Sequence, residues 1–307
     1  MSGDLALASE ILRKMCGDRV RTAFPMAPLT TFRIGGAASL YLEPNDEADL
    51  DAAAQAITRA DIPFVVLGKG SNVLVADDGF PGLVLRLGRG YRWAARAGDV
   101  LIAGGAMPVP ALAGVALQHG LAGLAFAIAI PASLGGAVRM NAGAHGAQMS
   151  DVVEEIDVYR LRLGTRVSVQ ASAAGFGYRE SDLPPDAVVI GARLGLHAGD
   201  PQEIRAAMDE ARRWRRETQP VAEPNCGSVF TNPAGAHAAA LIEAAGLKGE
   251  RFGGASVSSK HANFIVAEPG ATAADVATLI GRIQERVEAA TGIRLVPEVR
   301  VIGGTHG

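Results

Sequence analysis

The sequence predicts an α+β fold, on three observations. Short apolar runs bounded by turn residues outnumber segments with helical spacing, which favours α+β over a doubly wound sheet. The glycine turn Gly68-Lys-Gly-Ser-Asn72 runs from the apolar segment Pro63–Gly68 straight into a second one, Val73–Ala76. A dinucleotide-binding turn or a P-loop opens a helix instead. The stretch Ile128–Gly146 is built almost wholly of small residues and is punctuated by Gly135, Gly136, Gly143 and Gly146. Such a backbone can approach a flat or phosphorylated ligand closely and turn its N–H groups toward one point.

From the N-terminus, Leu5–Cys16 reads as a short helix followed by an approach strand, and Thr30–Gly36 closes on a glycine pair. Tyr41–Pro44 reads as a strand end. Asp46–Ala60 has helical spacing, with Leu50, Ala53, Ala54 and Ile57 on one face. Short strands are expected at Leu83–Leu87 and Val100–Ala103, then a helix over Pro110–His119 with proline in its first turn. Beyond the glycine-rich stretch, strands are expected near Val152–Tyr159, Arg166–Gln170 and Val188–Leu196. Asp200-Pro-Gln-Glu starts a capped helix running to about Glu217, and Thr218–Pro224 reads as a linker. A helix to Ala245, a loop through Gly253–Ala255, the segment Lys260–Val266, a helix over Thr272–Ala290 and a closing strand Leu295–Ile302 complete the chain.

At 307 residues the chain has room for about two domains, or three small ones, and its 49% hydrophobic and 20% charged content is that of a soluble globular protein. The net charge of −3 and the lack of a basic stripe interleaved with aromatics argue against nucleic acid as a partner. The densest basic run, Arg212–Arg216, has Glu210 and Glu217 beside it and reads as a solvated helix face. Residues Leu121–Val138 carry no charge over the length of a membrane span, but Pro131 and the glycines argue against one. Cys16 and Cys226 suggest no disulfide framework, and no secretory leader is expected; both point to the cytoplasm. His119, His145 and His261 have no metal-ligand spacing, so no metal site is expected.

Taken singly, the motifs leave two readings open. Gly68–Asn72 is an anion-binding turn or an ordinary tight hairpin. Residues 128–146 are a ligand cradle or a packed core turn. Ser228 is suited to capping a turn. Glu298 alternates with Val296 and Arg300 on one strand face. It is either a partly desolvated carboxyl with a raised pKa or a partner of a neighbouring arginine. Arg179, on residue type alone, reads as a surface partner of Glu180 or Asp182.

Eight motifs taken together resemble the UDP-N-acetylenolpyruvoylglucosamine reductases, flavoenzymes of bacterial peptidoglycan precursor synthesis. They are ThrThrPheArgIleGlyGly, LeuGlyLysGlySerAsn, IleProAlaSerLeuGlyGlyAla, MetAsnAlaGlyAlaHisGly, PheGlyTyrArgGluSer, CysGlySerValPheThrAsnPro, LysHisAlaAsnPhe and ProGluValArgValIleGly, in the family's order from Thr30 to Gly303. No tyrosine lies between Arg179 and Ser228, so the chain resembles the class that lacks a Tyr-bearing closing loop.

The resemblance implies an N-terminal segment 1–27, then an FAD-binding domain 28–196 of the vanillyl-alcohol-oxidase (PCMH) type, with two α+β subdomains. A C-terminal α+β substrate domain, 197–307, follows. It implies non-covalent FAD, NADPH as co-substrate, and reduction of the enolpyruvyl group of UDP-N-acetylenolpyruvoylglucosamine to UDP-N-acetylmuramate. By the same resemblance Ser228 donates a proton, Glu298 polarises the substrate carboxylate and Arg179 stabilises it. Arg33, Gly68, Gly70, Ser71 and Asn72 hold the cofactor, joined by Ile130, Pro131, Ser133, Gly135, Gly136, Asn141, Gly143 and Gly146. Asn232, Lys260, Asn263 and Arg300 touch the substrate.

Three positions depart from the family pattern: Ala132 where glycine is usual, His145 where tyrosine is usual and Thr231 where lysine is usual. For the missing cation, Arg215, Arg216, Lys248, Lys260 and Arg300 are candidates. The expected partner is a small-molecule substrate, without nucleic acid or membrane, and a monomer is expected in preference to an oligomer. The alternatives are a flavin oxidase or dehydrogenase on the same FAD fold acting on another small substrate, and a non-catalytic flavin- or nucleotide-binding module. The SerValPhe, LysHisAlaAsn and ProGluValArg motifs favour the reductase.

Overall fold

A computed structural model describes residues 3–304. The chain divides into two compact units, each discontinuous in sequence: residues 1–22, 40–69 and 82–214, and residues 23–39, 70–81 and 215–307. The sequence places a boundary near residue 196. The helix Pro201–Thr218, which that boundary assigns to the second domain, lies mostly in the first unit because Ile204, Met208 and Ala211 are buried in its core.

The first unit is built on a five-stranded antiparallel sheet with spatial order Thr165–Gln170, Val153–Arg160, Ala187–Gly195, Val100–Gly104, Ala94–Ala97. Its central strand is buried on both faces. Ala187 and Val189 enter one core and Val188 and Ile190 the other, as the two-residue side-chain period requires, and a register shift against Val153–Arg160 brings Ala192 and Leu194 back to the first core. The second of these cores is filled by helices α1 (Leu5–Cys16) and α2 (Glu47–Ala60). Asp4 and Asp46 cap them, accepting from Leu7 N at 2.9 Å and Asp49 N at 3.0 Å. The first core is filled by α3 (Val109–Gln118), α4 (Leu134–Arg139) and α5 (Pro201–Thr218). Short α4 is absent from the sequence expectation, because two adjacent glycines mask a helix that Ser133 starts by accepting Gly136 N at 3.3 Å.

Within the second unit, α6 (Ala238–Ala244) and α7 (Ala273–Thr291) pack with the antiparallel strands Arg251–Phe252, Ala255–Val257 and Ile265–Ala267. The start of α7 is heavily capped. Thr272 and Asp275 form a capping box, and Asp77 accepts Ala273 N at 2.7 Å and Ala274 N at 3.0 Å. The strand Val73–Val75 pairs in parallel with Arg300–Ile302. One open reading is settled here and one expectation corrected. Gly68–Asn72 is no hairpin, since Phe64–Val66 pairs with Phe80–Leu85 and Val73–Val75 belongs to another sheet. The closing strand is Arg300–Ile302 instead of Leu295–Ile302, because Pro297, which has no N–H, forms only an isolated bridge to Phe230.

Candidate active site

In the second unit, Ser228 sits in a segment fastened on both sides. Gly227 has a φ of +80° and donates its N–H to Asn225 Oδ1 at 2.9 Å, an Asx turn that presents Ser228 next in line. Val229 donates to the Asn263 carbonyl at 2.9 Å and accepts from Glu298 N at 2.7 Å. The half-buried Ser228 hydroxyl has no protein partner among the described residues, so the capping reading finds no support. Glu298 is half-buried, and burial pushes the thiol of Cys226, in the chain segment before Ser228, far up. Asn72 ties the GlySerAsn turn to the same place: its Nδ2 donates to the Glu298 carbonyl at 3.2 Å and its carbonyl accepts Arg300 N at 3.1 Å.

The residues expected to touch the substrate have these partners within the protein. Asn263 is 4% exposed, and its amide is spent on Phe230: Oδ1 accepts Phe230 N at 2.9 Å and Nδ2 donates to Phe230 O at 2.8 Å. Its role is to hold the Ser228 segment. Asn232 Oδ1 accepts Ala238 N at 3.0 Å, holding the start of α6. Lys260 is exposed and its Nζ donates to the Arg216 carbonyl, while Arg300 is exposed beside Asn72. Thr231 turns its hydroxyl back to Val296 O at 3.2 Å. Arg33 is exposed with a φ of +60°, its N–H held by Thr30 Oγ1 at 3.1 Å.

In the first unit, two tight turns face one another. One is the hairpin Gly143–Ala144 with Ala147–Gln148, whose tip residues His145 and Gly146 both have positive φ, +54° and +79°. The other is Gly177–Glu180, closed by a bridge between its end residues, with Arg179 at a φ of +62°. Reciprocal bonds stitch them together. Arg179 Nη2 donates to Gly143 O at 2.9 Å, and Asn141 Nδ2 donates to Gly177 O at 2.9 Å. Asn141 is 1% exposed and its Oδ1 accepts Ser150 N at 2.9 Å, so its side-chain amide holds the two turns in place.

The small residues around Ser133 divide by what surrounds them. A Cβ on Gly135 would lie 2.9 Å from Val189 O and 3.3 Å from Gly105 O, and one on Gly143 would meet Ala147 O at 2.7 Å. These two glycines therefore allow chain to pack closely on chain. On Gly136 a Cβ would meet only Ser133 Oγ, at 3.4 Å, and on Gly146 nothing within 4 Å. Gly68 lies against the same serine, where a Cβ would fall 2.6 Å from Ser133 Oγ. Ile130 is half-buried and Pro131 exposed beside them.

Family models match at two places: an FAD binding domain over residues 38–170, and the UDP-N-acetylenolpyruvoylglucosamine reductase C-terminal domain over residues 219–302. A UDP-N-acetylenolpyruvoylglucosamine reductase of Heliobacterium modesticaldum is 46% identical, over 92% of this chain and 90% of its own length. One from Anaeromyxobacter dehalogenans is 44% identical, over 96% of this chain and 88% of its own. The crystal structure of the Thermus caldophilus UDP-N-acetylenolpyruvylglucosamine reductase superposes with a TM-score of 0.82 at 35% identity, covering 93% of this chain and 99% of that one.

The chain belongs to the UDP-N-acetylenolpyruvoylglucosamine reductase family. Its fold is the PCMH-type FAD-binding fold joined to the reductase family's C-terminal domain. Membership implies FAD, and the residues present fit it. The carbonyl of Gly70 accepts from Thr31 N at 3.0 Å, but among the described residues no N–H from Gly68 to Asn72 donates to a protein acceptor. A run of uncommitted N–H groups in a glycine turn suits a diphosphate. Gly136 and Gly146 leave their backbone open to approach, with a Cβ meeting only Ser133 Oγ at 3.4 Å on the first and nothing within 4 Å on the second.

Two contacts around the Arg179 and Gly143 turns escape the sequence reading. Arg139 donates from Nη1 to Leu183 O at 2.6 Å and from Nη2 to Pro184 O and Ala187 O at 2.9 and 2.6 Å, fixing the segment after Arg179. Trp214 meets the His145 ring edge-on, with centroids 5.0 Å apart. An arginine inside a glycine-rich motif and a tryptophan inside a basic run carry no local signal of such contacts. Among the described residues no cluster of three or more His, Cys, Asp or Glu is placed to hold a metal ion, and no helix is long and apolar enough to cross a membrane.

Proposed function

We propose that this chain catalyses the NADPH-dependent reduction of UDP-N-acetylenolpyruvoylglucosamine to UDP-N-acetylmuramate, with non-covalent FAD, in peptidoglycan precursor synthesis. The observation that carries the reading is the uncommitted Ser228 hydroxyl in a segment pinned to Glu298, within a chain of this family. Bound FAD supplies the hydride, which it takes from NADPH. Addition of hydride to the enolpyruvyl group leaves negative charge on the carbon beside the carboxylate, spread into its oxygens. Ser228 holds the proton that this carbon receives. A hydroxyl is a weak acid, but the carbanion is a strong base, so the transfer runs downhill. Arg179 lowers the energy of the charged carboxylate through its planar fork, and Glu298 does so as a hydrogen-bond donor, a role that requires its protonated form.

Uncommitted N–H groups at Gly68–Asn72, with the open backbone of Gly136 and Gly146, support the cofactor role of those residues. On this reading residues 28–196 serve the flavin and residues 197–307 the substrate, acting in the cytoplasm as a monomer. The experiment is an anaerobic NADPH titration that bleaches the flavin, followed by the enolpyruvyl substrate, which restores its absorbance with formation of UDP-N-acetylmuramate. Rapid reoxidation by oxygen alone, with no response to the substrate, favours the oxidase reading.

A further inference from the structure

We propose that Trp214 and His145 are positioning residues for Arg179, acting through the hairpin 143–148; the proposal rests on the carboxylate-stabilising role of Arg179 given above. The hairpin has only two residue pairs, Ala147 with Ala144 and Gln148 with Gly143, too few to hold a fixed shape alone. Its tip needs positive φ at both His145 and Gly146, and histidine adopts that conformation with strain. External anchors must therefore set where the hairpin lies. At its base Ser150 N is held by Asn141 Oδ1 at 2.9 Å and Met149 N by Ala142 O at 3.0 Å. At its tip the anchor is Trp214, whose ring lies at 80° to the His145 ring with centroids 5.0 Å apart. Trp214 rides on α5, which Ile204, Met208 and Ala211 fix in the core, so the helix is the firm partner and the hairpin the one that is placed.

What the hairpin places in turn is the guanidinium. Arg179 Nη2 donates to the Gly143 carbonyl at 2.9 Å, at the opposite end of the same short strand from His145. The Arg179 backbone is itself in the left-handed region, at a φ of +62°, in a turn with exposed Tyr178 beside it. The guanidinium also lies over the Tyr178 ring, 5.2 Å from its centroid, and its bond to the Gly143 carbonyl ties its direction to the hairpin. A shift of the hairpin tip moves Gly143, and with it the direction of the fork. A misplacement of about 1 Å in such a group can reduce a rate by up to roughly a hundredfold.

The test uses the holoenzyme and four variants: Trp214→Ala, Trp214→Leu, His145→Ala and His145→Phe. Hydrogen exchange read by mass spectrometry should quicken in both 143–148 and 177–180 for Trp214→Ala and His145→Ala, and stay near wild type for His145→Phe. In anaerobic stopped-flow, Trp214→Ala should slow reoxidation of the flavin by the enolpyruvyl substrate about tenfold, while reduction by NADPH changes less than about twofold. In an Arg179→Lys background the same change should add almost nothing, since coupled residues are not additive. Trp214→Leu keeps apolar bulk on the helix without the ring, and should match Trp214→Ala. Faster exchange confined to 144–147, or equal slowing of both half-reactions, overturns the proposal. If the wild type fails to respond to the substrate, the functional reading falls instead, and exchange at 177–180 still decides whether Trp214 and Arg179 are linked.

Discussion

The N–H of Glu298 donates to the carbonyl of Val229 at 2.7 Å, one residue beyond Ser228. Two groups assigned to one proton-transfer step are thereby set on neighbouring, hydrogen-bonded backbone. The far side of the Ser228 segment is held by Asn263, which grips Phe230 through both ends of its amide.

Asn263→Leu should therefore act on stability. It leaves Phe230 N–H and C=O buried without partners, at roughly 1–3 kcal/mol for each orphaned group. The denaturant midpoint should fall clearly. Unchanged stability with a raised substrate KM would return Asn263 to the substrate-contact role.

Gly135 and Gly136 are adjacent and should respond in opposite ways. Gly135→Ala drives a Cβ to 2.9 Å from Val189 O, and such overpacking costs about 1–3 kcal/mol. Gly136→Ala meets only Ser133 Oγ at 3.4 Å, so the apoprotein should keep its stability while FAD affinity falls. Thermal unfolding of apoprotein, with flavin titration of each variant, checks the pair. Equal loss of flavin affinity without loss of stability in both contradicts the division.

The two glycines also show how far the sequence reaches. That residues 128–146 must be small was legible, since no other composition brings backbone so close to a neighbour. Which glycine faces strand Ala187–Gly195 and which faces open space depends on residues 105 and 189, far away in sequence. The helices were legible nearly to the residue where a cap marked them, at Asp46 and Thr272. The strand Arg300–Ile302 was overextended because its partner, Val73–Val75, lies over two hundred residues earlier. Among the residues proposed for the site, the Ser228 hydroxyl has no protein partner among the described residues. Asn141 and Asn263, polar and in motifs, read as ligand contacts from sequence. Only the fold reveals that their amides are consumed by Gly177, Ser150 and Phe230.

Alkali should weaken the first unit through Cys16. Burial, with the Asp49 carboxylate beside it, pushes this thiol from an ordinary 9.0 to about 11. Its folded-state pKa is raised, so the contribution to stability is complete below pH 9 and is lost as pH climbs toward 11, where the unfolded chain ionises first. Tyr41, pushed up to about 12 by burial and Glu43, extends the decline. The unfolding midpoint should fall between pH 9 and 12, less steeply in Cys16→Ala. An identical slope in that variant contradicts the assignment.

Glu298→Gln should slow the substrate half-reaction while leaving flavin reduction by NADPH near normal, because the lost charge stabilisation concerns the substrate carboxylate alone. Stopped-flow of the two halves measures this. A defect confined to NADPH oxidation would assign Glu298 to the wrong step.

The central claim is that Ser228 gives the proton, and anaerobic stopped-flow on Ser228→Ala tests it most directly. Flavin reduction by NADPH needs no proton aimed at the enolpyruvyl carbon and should keep a near-normal rate. Reoxidation by the enolpyruvyl substrate should fall by about a hundredfold to ten-thousandfold, the usual contribution of a positioned general acid. Ser228→Cys, whose thiol can still donate, should recover part of that loss. Equal slowing of both halves in Ser228→Ala, with no recovery in Ser228→Cys, would make Ser228 a structural residue and contradict the mechanism.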